Sequence, residues 1–248
     1  MQAIILAAGM GKRLKELTNN NTKCMVKVND VCLIDRMLHQ IEKKDISRII
    51  IVVGYKWKQL KEFISTLWIK TPIVYINNPI YDKTNNIYSL DLAKDYLCED
   101  DTLLFESDLI FEDSVIDELL KDSRETLALV DKYQNWMDGT CVTLLADDTI
   151  ETLVSKNKFK LENSKNYYKT VNIYKFSKNF SKNKYVPFLE AYQKALGSNE
   201  YYEQVLRIII VLDNPEIKAK RLTWQLRYEI DNIDDLKNAE TMFTISNI

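Results

Sequence analysis

The first 132 positions alternate between two hydrophobic periods. Five apolar runs of strand length, "QAIILA" (2–7), "SRIIIVVGY" (47–55), "TPIVYINN" (71–78), "DTLLFESD" (101–108) and "ETLALVDK" (125–132), are separated by segments with apolar residues at helical spacing. In "CLIDRMLHQIEKK" (32–44) these residues are Leu33, Met37, Leu38 and Ile41, and "WKQLKEFISTL" (57–67), "NIYSLDLAKDYL" (86–97) and "EDSVIDELLKD" (112–122) read the same way. The β-branched run after position 47 has no polar alternation, which predicts a strand buried on both faces. Strand, helix, strand at this rhythm means βαβ units and a mostly parallel sheet with helices on both sides.

After about residue 132 the pattern changes. "GTCVTLLADDTIETLVSKN" (139–157) reads as short meandering strands and "YYKTVNIYKFS" (167–177) as another strand. "FLEAYQKALGS" (188–198) and "EYYEQVLRIII" (200–210) read as helices, "EIKAKRLT" (216–223) and "RYEID" (227–231) as strands, and "NIDDLKNAETMF" (232–243) as a closing helix. No linker rich in Pro, Gly or Ser and no repeat divides the chain. The expectation is one α/β domain over residues 1–248, a mixed, mostly parallel sheet flanked by helices, with a ligand-binding half to about residue 110 and a second half growing from the same sheet.

Composition narrows the function classes. The chain has 248 residues, 46% hydrophobic and 28% charged, with a net charge of −2, which fits a globular domain and excludes the basic field of a nucleic-acid binder. The lysines of "KNFSKNK" (178–184) read as solvated. Four scattered cysteines, Cys24, Cys32, Cys98 and Cys141, with no CxxC pair and one histidine, leave too few ligands for a zinc site. Their scatter, the absence of a basic segment before the first apolar run, and the lack of any run of membrane-spanning length point to a cytoplasmic protein with no membrane partner. His39, placed on the apolar side of its helix, reads as structural.

The turn after the first strand carries the candidate chemistry. "LAAGMGKRL" (6–14) holds two of the five glycines. A dinucleotide fingerprint needs a third small residue where Leu14 stands, and an acid after the second strand, which instead ends Gly54-Tyr55-Lys56. A P-loop needs a glycine five positions before Gly11 and a Ser or Thr after Lys12. What remains is a loop of small residues, Ala7, Ala8 and Gly9, with free N–H groups able to cradle an anion and two cations, Lys12 and Arg13, beside it.

"LAAGMGKRLKELTNNNTKCMVKV" resembles the signature L-A-A-G-x-G-x-R-L-x-P-L-T-x-x-x-P-K of the nucleotidyltransferases that activate sugars and small phosphorylated amines, enzymes with a Rossmann-like, glycosyltransferase-A-like fold. Glu16 and Thr22 stand where the signature has prolines. The resemblance implies that Leu6, Ala7, Ala8, Gly9, Gly11 and Lys12 bind a nucleoside triphosphate, that Arg13 with Lys12 meets its β and γ phosphates, and that Lys23 stabilises charge at the reacting phosphorus. It makes Asp108, at the end of the fourth strand, a Mg²⁺ ligand with Glu106 as a further candidate; alone, an acid there reads as a cap or turn residue. In "YEIDNIDDL" it makes Asp231 the partner carboxylate and Glu229 the second choice, with Asp231 or Asn232 also able to cap the last helix.

"DKTNNIYSLDLA" (82–93) resembles the Y-x-x-x-N-N-x-Y-S-L stretch of the phosphocholine-cytidylyltransferase branch. Asn85, Asn86 and Ser89 either read a pyrimidine base or cap a helix, and this stretch points to CTP. The acceptor side is implied at Lys132, Trp136, Asp138 and Gly139, and at Tyr201, Tyr202 and Glu203, which suit an ammonium by charge and cation–π contact; the tyrosines equally suit a packed helix turn. The expected reaction joins CMP to a small phosphorylated amine or amino acid with release of pyrophosphate. Glutamine phosphate, for a capsular phosphoramidate, is the leading acceptor; phosphocholine, 2-aminoethylphosphonate and a sugar 1-phosphate are the alternatives. Oligomeric state is open.

Overall fold

The apolar runs fold as the core of one sheet. In the computed structural model, which describes residues 1–14, 16–154 and 158–243, the first strand β1 (Gln2–Ala7) is buried at every position. Its alternate side chains feed two cores: Ala3, Ile5 and Ala7 pack on one face, Ile4 and Leu6 on the other. Two short strands, β2 (Lys27–Val28) and β3 (Val31–Cys32), then form a hairpin. The next strand, β4 (Ile49–Val53), divides in the same way as β1, with Ile49, Ile51 and Val53 on one face and Ile50 and Val52 on the other. With β5 (Ile73–Asn77) and β6 (Thr102–Glu106), these strands pair in parallel in the order β6-β1-β4-β5. Helices Leu33–Glu42, Trp57–Ser65 and Asp113–Lys121 cover one face and Asn86–Leu92 the other. The helix expected over 86–97 breaks at Ala93 and resumes as Lys94–Leu97.

The remaining strands are β7 (Leu109–Phe111), β8 (Leu127–Lys132), β9 (Cys141–Leu144), β10 (Ile150–Val154), β11 (Tyr168–Phe176), β12 (Lys218–Arg221) and β13 (Arg227–Glu229). Among the described residues nine strands form one mixed sheet. The alternation in sequence up to residue 132 does not continue as a parallel pairing in space. β11 returns antiparallel and takes the edge of β6, and β8 pairs with β11 and with β12. Residues 155–157, part of the expected meander, lie outside the described residues.

This pairing builds the site. β8 holds one edge of β11 from Tyr168 to Lys175. β6 and β9 therefore share the other edge, β6 against Ile173–Phe176 and β9 against Tyr168–Lys169. The β9–β10 hairpin thus projects beyond the carboxyl end of β6, the end at which open α/β sheets hold their ligands. The β11 register shifts between Thr170 and Tyr174, and Asn172 there has φ +59°, a bulge that re-aims the strand where its neighbour changes.

One reading is refined and one corrected. "KNFSKNK" carries packed residues between its lysines: Lys178–Phe180 and Ser181–Tyr185 are helical and lead into Val186–Leu196, with Phe180 and Tyr185 fully buried, Lys178 and Lys182 exposed, and Lys184 paired with Glu216 at 2.7 Å. His39 is on the exposed face of its helix, paired with Asp35 one turn earlier at 2.9 Å. The four cysteines are free thiols, and no described helix is long and apolar enough to cross a membrane.

Candidate active site

The loop after β1 is shaped by close approaches. Gly11 has φ +62°, and a Cβ there would stand 2.9 Å from Lys23 Cβ. Glycine at this point lets the loop lie directly on the segment that carries Lys23. Gly54, at the end of β4, has no room for a Cβ because Ala8 O and Tyr81 Cβ would each be 2.8 Å away. That explains why the second strand ends in glycine. Beyond the loop, Leu14 is fully buried in a third core with Val28, Leu33, Tyr228 and Ile230, so it anchors the loop where a dinucleotide site would need a third small residue. Thr22, in place of the signature's proline, has φ −77°, close to the angle a proline ring imposes, and its hydroxyl lies 3.1 Å from Cys24 Sγ.

A short ribbon brings the distant acids together. After β6 the chain turns at Ser107-Asp108 into β7, which pairs with β13 so that Leu109 faces Glu229. Ile230 N–H donates to Asp108 O at 3.0 Å. Capping of the last helix, Ile233–Met242, falls to Asn232, whose side chain accepts from Asp234 and Asp235 N–H, and this leaves the Asp231 side chain free for the site. The Lys23 ammonium sits between two carboxylates, 2.5 Å from Asp108 Oδ2 and 2.7 Å from Asp231 Oδ1, and Arg13 Nη2 reaches the same Asp231 oxygen at 2.7 Å. Burial opposes the lysine's charge, but Asp108 and Asp231 more than offset it and raise its pKa. Burial likewise pushes the Asp231 carboxyl up, and Lys23 and Arg13 overcome that and hold it below the usual range.

Behind this pair lies a second acid group. One oxygen each of Glu106, Asp108 and Glu229 fall within 4.8 Å of one another. Burial, with Asp108, Glu229 and Glu203 nearby, pushes Glu106 well above the carboxylate range, and burial also raises Glu229 despite the partial relief that Lys169 gives. Asp108 Oδ1 is buried with no hydrogen-bond partner. Glu106, Asp108 and Glu229 are thus an oxygen set with room for a hard cation, with Asp231 beside it on Lys23. Lys169, which the sequence reading did not single out, is almost fully buried in β11, 3.3 Å from Glu229 Oε2, and its stem fills the space below Gly139 (φ +102°). Its signal was a lysine inside a strand with no polar neighbour of opposite charge: a buried ammonium there requires an acid from elsewhere in the chain.

Loop, acids and hairpin enclose one cavity of about 920 Å³, ample for a nucleotide. Leu6, Ala7, Ala8, Gly9, Gly11, Lys12, Arg13 and Lys23 line it, as do Asn85, Asn86, Ser89, Asp108, Glu229 and Asp231. The asparagines also have local work. Asn85 caps its helix by accepting from Asn86 N–H at 2.8 Å. Asn86 accepts from Tyr202 N–H at 2.9 Å and donates to Glu106 at 3.2 Å, while Ser89 accepts from Asn78. This stretch therefore holds the segment before Glu203 against the acid cluster, and the amide of Asn86 is already committed to that.

Of the residues expected on the acceptor side, Asp138, Gly139, Tyr201 and Glu203 line the cavity, joined by Tyr133, Phe159, Gln204 and Arg207. Lys132, Trp136 and Tyr202 do not. The Lys132 ammonium bonds Lys165 O and lies 4.3 Å from the Tyr168 ring centre. Trp136 stacks on Tyr228, which closes the third core. Tyr202 is fully buried, edge-on to Tyr174, which is the packed-turn alternative. Glu203 is buried too, accepting from Tyr174 Oη at 2.6 Å and Thr140 Oγ1 at 2.5 Å, so both its oxygens already have donors.

CMP-5'-(3-aminopropyl)phosphonate synthase of Streptomyces rubellomurinus is 24% identical over 98% of this chain, and the CTP:phosphoglutamine cytidylyltransferase of Campylobacter jejuni is 31% identical over 53% of it. The matched stretches span 39% and 53% of those two proteins, so the chain answers to about half the length of each or less. The CTP:phosphocholine cytidylyltransferase from Streptococcus pneumoniae superposes with a TM-score of 0.79 at 24% identity, over 98% of this chain and 99% of that one, which establishes the fold. The nucleotidyl transferase family model matches residues 2–149. That stretch contains the glycine loop, Lys23 and Asp108, and the chain belongs to the nucleotidyl transferase family.

Proposed function

We propose that this protein is a CTP-dependent cytidylyltransferase that joins CMP to a small phosphorylated amine or amino acid and releases pyrophosphate, with glutamine phosphate as its leading acceptor. The observation that carries the reading is the Lys23 ammonium, fully charged and clasped by Asp108 and Asp231 at the foot of the glycine loop. Relatives that make CMP-linked products from phosphonates and phosphates support the nucleotide and acceptor classes.

An acceptor phosphate is already an anion, so in-line attack on the α-phosphorus needs no general base. The task of the site is charge and alignment. The loop N–H groups with Lys12 and Arg13 bind the β and γ phosphates, and Lys23 stabilises charge on the α-phosphate. The orphaned Asp108 oxygen and the crowded Glu106 and Glu229 fit Mg²⁺, a hard cation that takes oxygen ligands. When bound, Mg²⁺ supplies neutralisation of the triphosphate and polarisation of its phosphorus. Glu106 thus joins Asp108, Glu229 and Asp231 as a candidate ligand, while Asp231 also orients Lys23.

The test is a pyrophosphate-release screen of the common nucleoside triphosphates, with Mg²⁺, against glutamine phosphate, phosphocholine, 2-aminoethylphosphonate and glucose 1-phosphate. Release with CTP and a phosphorylated amine or amino acid is expected. Release only with UTP or dTTP and the sugar phosphate would replace the reading with sugar activation.

A further inference from the structure

Five cations line the cavity: Lys12, Arg13, Lys23, Lys169 and Arg207. Arg13, Lys23 and Lys169 each have a carboxylate partner. Lys12 is exposed on the triphosphate loop. Arg207 differs from all of these. It is half-buried in helix Glu203–Ile209, its Nε is shielded from solvent without a hydrogen-bond partner, and among the described residues it makes no ion pair.

Its position follows from contacts already described. One helical turn before Arg207 is Glu203, whose carboxylate accepts from Thr140 Oγ1. Thr140 follows Gly139, which lies on the Lys169 stem, and the Lys169 ammonium pairs with Glu229 in the acid cluster. Arg207 therefore lines the same cavity one helical turn beyond Glu203. A guanidinium Nε buried without an acceptor is costly until an anion meets it, and the planar fork matches a carboxylate with two parallel bonds. The reacting phosphates already have Lys12, Arg13 and Lys23.

We propose that Arg207 binds a carboxylate carried by the acceptor, which makes the acceptor a phosphorylated amino acid and not its decarboxylated amine. The inference rests on the cytidylyltransferase reading. Lys132, expected on the acceptor side, does not serve this role, since its ammonium is spent on Lys165 O beside Tyr168. The acceptor's ammonium has Asp138 and the rings of Tyr133, Phe159 and Tyr201 on the same cavity wall.

The test uses matched acceptors that differ only in the carboxylate: phosphoserine against phosphoethanolamine, and glutamine phosphate against phosphorylated 4-aminobutanamide. Initial rates of pyrophosphate release from CTP and Mg²⁺ give kcat/KM for each. The native protein should prefer the carboxylate-bearing member of at least one pair by roughly 10-fold or more, the worth of a charge-assisted hydrogen bond. In Arg207→Gln that ratio should fall towards one through KM, and Arg207→Lys, which keeps charge without the fork, should retain part of it. Thermal melts check that both variants fold. Equal rates, or preference for the decarboxylated members, in the native protein would overturn the inference without touching the reading beneath it. A preference that survives Arg207→Gln would overturn the assignment to Arg207. No release with CTP from any of the four would overturn the inference, and no release from phosphocholine or 2-aminoethylphosphonate either would overturn the cytidylyltransferase reading with it.

Discussion

Replacing Lys23 with methionine keeps the unbranched stem, one atom shorter, and removes the charge that Asp108 and Asp231 share. The side chains of all three groups are less than one-fifth exposed. Removing one member of such a cluster leaves buried carboxylates uncompensated, which costs about 3–5 kcal/mol. The pH dependence of that cost follows from Asp231. Its carboxyl is held below its ordinary value in the native protein, so the stability it contributes is present above about pH 4, the unfolded value, and lost as pH falls through the folded one. Lys23→Met should therefore be about 3 kcal/mol or more less stable at pH 7, with the gap closing as pH falls below about 4 and Asp231 protonates. Urea denaturation of both proteins across that range measures it. Pyrophosphate release at pH 7.5, scored on the folded fraction, should fall ~10²–10³-fold, as for loss of one preorganised charge-stabilising donor. A stability cost that does not change with pH, or turnover near the native rate, would refute the placement of Lys23 between these acids and its role at the phosphorus.

Three further outcomes follow from other parts of the site. Glu106 is pushed above its ordinary value: the resulting stability is complete below about pH 4.3 and lost as pH rises, at ~1.4 kcal/mol for each unit of offset, so in metal-free buffer Glu106→Gln should flatten the decline of stability between pH 5 and pH 8. Equal slopes for the two proteins would contradict the crowding of Glu106 by Asp108 and Glu229. Gly11→Ala places a Cβ 2.9 Å from Lys23 Cβ at φ +62°; a loss of about 1–3 kcal/mol is expected, with reduced turnover as Lys23 shifts, whereas an unchanged melting temperature would mean the loop does not rest on Lys23. Thr22→Pro suits the observed φ and should raise stability by up to about 1 kcal/mol, less the Thr22–Cys24 contact; a melting temperature several degrees lower would show that the segment needs the threonine hydroxyl.

What the sequence made legible was local. The runs at 2–7 and 49–53 feed apolar side chains to both faces, and no arrangement but a covered central strand satisfies that. The resemblance to a nucleotidyltransferase signature pointed to Lys23, Asp108 and Asp231, and the fold brings all three together beside the glycine loop. Long-range pairing was not legible. Nothing near residue 168 announces that β11 will insert antiparallel beside β6, and that pairing is what sends β9–β10 over the acids and places Lys169 against Glu229. For the same reason the segment at 201–207 was only half read: Tyr201 and Glu203 reach the cavity, but Tyr202 between them turns into the core, and Arg207 one turn later faces the cavity. Helical phase decides which side chains meet the cavity, and that phase was fixed by the contacts of residues 198–202 with the Asn85–Asn86 cap.

The identity of the products from CTP and glutamine phosphate, read by mass spectrometry and ³¹P NMR, bears most directly on what the cavity does. Transfer at the α-phosphorus, set up by Lys23 at the foot of the loop, yields pyrophosphate and a CMP adduct that retains the acceptor's own phosphorus. CDP with a second phosphoryl group on the acceptor, or an adduct formed only from another nucleoside triphosphate, would contradict it.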